Sequence, residues 1–306
     1  MATAKNNRRP PKGRGQRGPA AARATAAAMR KEQARREARR RAITAGVTVL
    51  AIVAAIGILV LVKVTSGPKP KPPVATNSPA PASLVAKVTG VPEKTIAAIG
   101  KGSTTQLPSS ITGTALTANG KPLVLYIGAE YCPYCAAERW AVVQAMSRFG
   151  TWHNLSITHS ASNDVYPNTP TFSFHGATYT SQYLSFTGKE TESNQVSGGS
   201  YAPLDTLTAQ EQAIFRKYVP SGSIPFIDFG NRYLVSGASY NPTAIQGLSE
   251  TQIADALASA SSAAAKGIVG TANAMTAALC KLTNGKPGSV CSLPAITSLQ
   301  GQLGAG

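Results

Sequence analysis

The sequence predicts an α/β domain, with a central mixed sheet flanked by helices, standing behind a single membrane span. Three observations carry this. Residues 43–62 are apolar and uncharged. Residues 122–129, PLVLYIGA, form a continuous run of β-formers that feeds into a helical pattern. Residues 223–235, SIPFIDFGNRYLV, are two apolar strands joined by Gly230-Asn231.

In chain order the span comes first. Residues 43–62 read ITAGVTVLAIVAAIGILVLV. Twenty helical residues cover about 30 Å, the thickness of a hydrocarbon core, so a transmembrane helix is expected over 43–65. Arg35, Arg36, Arg39, Arg40 and Arg41 precede it, and only Lys63, Lys69 and Lys71 follow closely. Positive charge stays in the cytoplasm, which puts the N-terminus inside and the chain beyond residue 66 outside. An uncleaved anchor fits better than a cleaved signal peptide, because the apolar stretch is long for an h-region and 42 residues precede it.

The formal net charge of +17 is local. Residues 1–42 hold 14 Lys and Arg against Glu32 and Glu37, while the remainder hold 16 against 11 acids. Topology and anionic lipid account for such an arm, rich in Pro and Gly and partly disordered, so nucleic acid is not an expected partner. Residues 66–83, SGPKPKPPVATNSPAPAS, read as a Pro-rich spacer. The folded external domain is expected over 84–306.

Within it, Pro92–Ile99 reads as a short helix stopped by Gly100. Residues 101–121 read as irregular, with a turn at Asn119-Gly120. The run 122–129 is a strand buried on both faces, and 136–149 a helix ended by Gly150. Leu155–Thr158 reads as a strand. Residues 160–206 carry no helical pattern and read as an insertion. Thr208-x-x-Glu211 and Ser249-x-x-Gln252 are capping boxes that open helices. A helical extension covers about 243–306, Ala-rich and broken near Gly267–Gly270.

Between the first strand and its helix stands Cys132-Pro133-Tyr134-Cys135. At a helix N-terminus the dipole and free N–H groups favour a thiolate, the attacking species in disulfide exchange. Cys135, one turn on, can close a disulfide, and Pro133 presets the helical φ. A zinc half-site would need a second closely spaced pair, whereas Cys280 and Cys291 are eleven residues apart. They enclose a turn-rich loop and read as a structural disulfide, with a relay pair as the alternative. Ile224-Pro225, at a strand entrance, is a candidate cis bond of the kind found in tight functional turns.

The segments LVLYIGAEYCPYC (123–135) and SIPFIDFGNRYLV (223–235) resemble the thioredoxin-like superfamily, over about 120–240. The wider chain is similar to an uncharacterised family of membrane-anchored thioredoxin-like proteins. In the superfamily a strand feeds CxxC, a helix follows, and a cis-proline before an antiparallel hairpin faces the sulfurs. The resemblance implies that Cys132 is the nucleophile, Cys135 the resolving thiol and Pro225 the substrate-facing cis-proline. Pro133, Tyr134, Tyr131 and Ile224 support them. Two departures stand out. Tyr126 occupies the place of the buried Asp of thioredoxins, and the dipeptide is Pro-Tyr, as in glutaredoxins. Neither fixes the direction of electron flow.

Other residues read more plainly. His153, His159 and His175 are surface or hydrogen-bonded residues before they are metal ligands, and no metal is expected. Tyr131, Tyr134, Phe172, Phe174, Tyr179 and Tyr183 either line a substrate groove or pack the insertion on the sheet. Glu138 and Arg139 read as a solvated helix face, with stabilisation of a thiolate by Arg139 as the alternative.

These readings converge on a membrane-anchored thiol–disulfide oxidoreductase outside the cytoplasmic membrane. It needs no cofactor beyond the Cys132–Cys135 disulfide, and its partners are exported proteins or a membrane redox protein. The rivals are a copper-handling module and a catalytically silent scaffold.

Overall fold

The computed structural model describes residues 77–303. The basic arm and the span expected at 43–65 lie outside the described residues. Among those described, no helix is long and apolar enough to cross a membrane.

The fold is mixed α/β. Strand β1 (Ser78–Pro79) leads into helices α1 (Ala82–Thr89) and α2 (Glu93–Ile99), then strands β2 (Ser109–Ser110), β3 (Thr117–Ala118) and β4 (Lys121–Gly128). Helix α3 (Pro133–Ser147) is followed by strands β5 (Gly150–His153), β6 (Ser156–His159), β7 (Pro170–Ser173), β8 (Thr178–Ser181), β9 (Ser185–Glu190), β10 (Glu192–Ser197) and β11 (Ser200–Pro203). Helix α4 (Ala209–Tyr218) precedes the hairpin β12 (Phe226–Phe229) and β13 (Tyr233–Ser236). The chain closes with α5 (Glu250–Ala256), α6 (Ala263–Leu282), α7 (Gly288–Cys291) and α8 (Pro294–Gln302).

Strand β4 is the axis of the main sheet. On one side it pairs antiparallel with β12, Ile127 opposite Phe226 and Val124 opposite Phe229. On the other it pairs parallel with β9, Leu123 opposite Ser185 and Gly128 opposite Glu190. Strand β13 continues the sheet from β12, with β2 at its edge. Residues 124–128 are buried because both faces are covered. Asn119 and Gly120, with φ of 52° and 73°, join β3 to β4, the tight hairpin turn that this dipeptide favours.

Helix α3 is buried from Cys135 through Met146. A helix buried on all sides lies inside a domain, and α3 does so, packed against α6, α1, β5 and β7. Trp140 Nε1 donates to the Pro170 carbonyl at 2.9 Å, and Tyr240 Oη to that of Ala137 at 2.8 Å, fixing the helix on two sides.

Four expectations are corrected. The folded part begins before residue 84: Ser78–Pro79 pairs with β6, and α1 starts at Ala82, burying Leu84 and Val88 one turn apart. Segment 160–206 is not merely an insertion, since β9 is the parallel neighbour of β4. The break in the C-terminal helical stretch falls at 257–262, and α6 runs unbroken through Gly267 and Gly270. Those glycines permit close approach instead. A Cβ on Gly270 would stand 2.3 Å from the Lys101 carbonyl oxygen, and one on Gly267 would stand 2.6 Å from the Tyr240 ring. Glu138 and Arg139 are not solvated, both being fully buried. The two capping boxes stand as read, at Thr208 and at Ser249.

Candidate active site

The end of β4 delivers Cys132 to the N-cap of α3, with Pro133 at the first helical position. The Cys132 Sγ accepts the Cys135 N–H at 3.2 Å, so sulfur does the work an Asp or Ser oxygen does at other helix starts. Negative charge on that sulfur meets the positive end of the helix. The two thiols are unbonded; Cys132 is 5% exposed and Cys135 is fully buried.

Their environments pull the thiols apart. Cys132 is held below the ordinary thiol range, first by the hydrogen bond from the Cys135 side chain and then by the backbone N–H and Arg139, which together outweigh partial burial. Burial pushes Cys135 well up. This is the asymmetry of an attacking and a resolving thiol.

The Ile224-Pro225 bond is cis. Pro225 sits one residue before the Phe226–Ile127 pair, so the hairpin enters the sheet beside the end of β4 that leads to Cys132. Tyr134 and Ile224 line one cavity of about 470 Å³, together with Tyr166, Gly237, Tyr240 and Pro242. Tyr134 is 41% exposed and meets Tyr166 edge-on at 5.8 Å. Tyr131 stacks flat on Tyr201 at 4.2 Å. The other proposed groove aromatics are structural. Phe172 and Phe174 are buried, and Tyr179 joins Trp152, Phe174 and Phe186 in one ring cluster.

Behind the thiols lie charges, among them Arg139 and Glu138, which the sequence reading placed first in solvent. Arg139 Nη1 donates to Glu190 Oε2 at 2.7 Å, with both side chains fully buried. The same Nη1 reaches the Ala129 carbonyl at 3.3 Å, which also accepts the Cys132 N–H at 3.3 Å. Arg139 Nε donates to Thr171 Oγ1 at 3.3 Å, while Nη2 has no partner among the described residues. Burial lifts the Glu190 carboxyl to about 7 against the pull of Arg139. Glu130 is 2% exposed and accepts from Ser173 Oγ and Asn77 Nδ2, each at 2.5 Å. Tyr126 is buried with its hydroxyl unpartnered, over Gly128, where a Cβ would stand 2.3 Å from that oxygen. Glu138, one turn beyond Cys135, accepts from Ser239 N at 2.8 Å and from Ser239 Oγ at 2.6 Å. It thereby ties the residues that follow β13, which line the cavity, to the thiol-bearing helix.

Cys280 and Cys291 form a disulfide with Cα atoms 5.5 Å apart, joining α6 to α7. The histidines have separate partners: His153 meets Thr180 at 2.9 Å, His159 meets Glu250 at 3.0 Å, and His175 meets Asp205 at 2.8 Å. Among the described residues no group of three or more His, Cys, Asp or Glu is arranged to hold a metal.

A family profile described as Domain of unknown function (DUF929) matches residues 108–281, more than half of the chain. No curated protein matches the chain, and neither does any solved structure.

Proposed function

We propose that this chain, which belongs to the DUF929 family of unknown function, is a membrane-anchored thiol–disulfide oxidoreductase with a thioredoxin-like external domain. One observation carries the reading. Cys132 caps the helix that carries the buried Cys135, just past the end of β4, the strand that pairs with the cis-Pro225 hairpin. It supports the reading, taken from the superfamily resemblance, of Pro225 as the residue that faces the sulfurs. Support for a protein substrate comes from the surface. The large apolar side chains exposed among the described residues are Tyr134, Val165 and Val196. Tyr134 lies within the motif and meets Tyr166, the neighbour of Val165. Val196 pairs across the β10–β11 hairpin with Tyr201, which stacks on Tyr131.

The chemistry is two successive exchanges. The Cys132 thiolate attacks one sulfur of a substrate disulfide, forming a mixed disulfide and releasing the other sulfur as a thiolate. Cys135 gives its proton to solvent, attacks Cys132 Sγ and expels the second substrate thiolate. Two electrons have then passed to the substrate, and Cys132–Cys135 is a disulfide. Run backward, the same steps oxidise a substrate dithiol. Ile224 and Tyr134 line the groove in which the substrate sulfur approaches, and Pro225, Pro133 and Tyr131 adjoin those two along the chain. The apolar stretch 43–62 would hold this domain outside the cytoplasmic membrane.

The test is an equilibrium titration of the full-length chain in glutathione redox buffers, with a Cys280→Ser/Cys291→Ser chain as control. A reversible Cys132–Cys135 couple is expected, mapped by alkylation and mass spectrometry. A potential above about −200 mV marks a disulfide donor, and one near about −270 mV marks a reductase. A pair that changes state only on unfolding rules out the oxidoreductase.

A further inference from the structure

The Arg139–Glu190 pair is fully buried, and its stability value does not explain it. Removing two ions from water costs several kcal/mol each, and apolar residues of similar volume commonly replace such a pair without loss. Its placement is informative. Cys132, Cys135 and Arg139 are at i, i+3 and i+7 of one helix, so they share a face. One carbonyl, that of Ala129, accepts both the Arg139 guanidinium and the Cys132 N–H. Glu190, which takes a bond from the same Nη1 that reaches Ala129, is carried by β9 in register with Gly128 at the end of β4. Nη2 of Arg139 is buried and makes no hydrogen bond among the described residues.

The exchange proposed above runs through thiolates at both sulfurs, and a buried charge on the same helix face acts on them with less screening than one in water. We propose that Arg139 is the cation that stabilises the thiolates of Cys132 and Cys135, and that Glu190, by holding the same guanidinium, sets how much of that charge the sulfurs feel. Glu190 is thus a positioning residue acting through Arg139. The inference deepens the oxidoreductase reading and rests on it. The remaining groups that face the cluster are Tyr126 from β4, Glu130 after it, and Asp205, whose Oδ2 accepts the Glu190 N–H at 2.9 Å. None of these is a cation. Arg139 opposes the upward push of burial on Cys135 and adds to the forces that lower Cys132.

The two charges have opposite signs, so their removal must act in opposite directions. The experiment uses the full-length chain and two readings. One is the pH profile of iodoacetamide alkylation at Cys132, mapped by mass spectrometry. The other is the equilibrium constant with glutathione at pH 8, where Glu190 is ionised. Glu190→Gln should move the Cys132 profile about one pH unit lower and favour the dithiol about tenfold, a potential about 30 mV more oxidising. Arg139→Gln should move both readings the other way by at least as much, and Arg139→Lys should restore most of the loss. If Arg139→Gln does not fold, Arg139→Met/Glu190→Met removes the cation without stranding an anion. Its Cys132 profile must then lie above that of Glu190→Gln. Shifts of the same sign, or no shift in either single variant, overturn the proposal, because a merely structural pair predicts one of those. A wild-type chain with no reversible couple overturns the oxidoreductase reading alone, since the alkylation profiles report the Arg139 charge independently of exchange.

Discussion

Glu138 offers a test of the energetics around the thiol helix. It is fully buried, and its oxygens accept only from Ser239. Burial lifts its carboxyl from the ordinary 4.5 to about 7, and the Ser239 bonds only partly offset the rise. The unfolded chain therefore releases this proton near pH 4.5 and the folded chain near pH 7. Between those values the native state holds the extra proton. The stability contributed by the protonated form is full below pH 4.5, declines as pH rises through the window, and is gone above about pH 7. At about 1.4 kcal/mol per pH unit, the cost of keeping Glu138 ionised is about 3 kcal/mol.

Glu138→Gln removes that cost while keeping both contacts, because the amide oxygen can accept from Ser239 N and the amide nitrogen can donate to Ser239 Oγ. The variant should be more stable than wild type by about 3 kcal/mol at pH 8 and by less than about 1 kcal/mol at pH 5. Urea unfolding of the full-length oxidised chain in non-ionic detergent, followed by fluorescence of Trp140 and Trp152, reads this directly, both indoles being buried. Glu190 and Asp228 are also lifted by burial, to about 7 and about 6, but they cancel in the comparison. A variant less stable than wild type at pH 8, or an advantage equal at both pH values, would refute the reasoning. Either would mean that the bonds from Ser239 to the ionised carboxylate outweigh its desolvation.

Three further outcomes follow from covalent cross-linking and close packing. Cys280→Ser/Cys291→Ser opens a cross-link between residues eleven apart, which the chain-entropy relation values at about 3 kcal/mol, read as a fall in the urea midpoint without loss of Cys132 alkylation. Gly270→Ala should cost about 1–3 kcal/mol, because its methyl meets the Lys101 carbonyl oxygen at 2.3 Å and overpacking exceeds the gain in helix propensity. Gly301→Ala, with nothing within 4 Å, should be neutral or slightly stabilising in the same unfolding assay.

The parts of the fold that local chemistry dictates were legible from the chain. The run into Cys132, the capping boxes at Thr208 and Ser249, and the Asn119-Gly120 turn each announce themselves within a few residues. The Arg139–Glu190 pair does not, because its partners are 51 residues apart and meet only through the parallel register of β4 and β9. A signal was nonetheless present. AAERWAVVQAM is apolar on every face around Glu138 and Arg139, so the helix had to be buried and its charges had to find partners inside. Gly267 and Gly270 misled for a related reason. A glycine that breaks a helix and one that admits a neighbouring backbone look the same in one dimension. The prolines of 66–83 likewise masked Leu84 and Val88, whose one-turn spacing marks the start of α1.

Asn77, the first residue described, is bonded through its amide to Glu130, two residues before Cys132. Ser173 Oγ donates to the same carboxylate oxygen. One buried oxygen therefore ties together three stretches of chain that are far apart in sequence: the residue before β1, the end of β7 and the turn that leads to the thiols. None of the three can shift without giving up a bond to this shared acceptor, so the turn that presents Cys132 is held as firmly as the strands behind it.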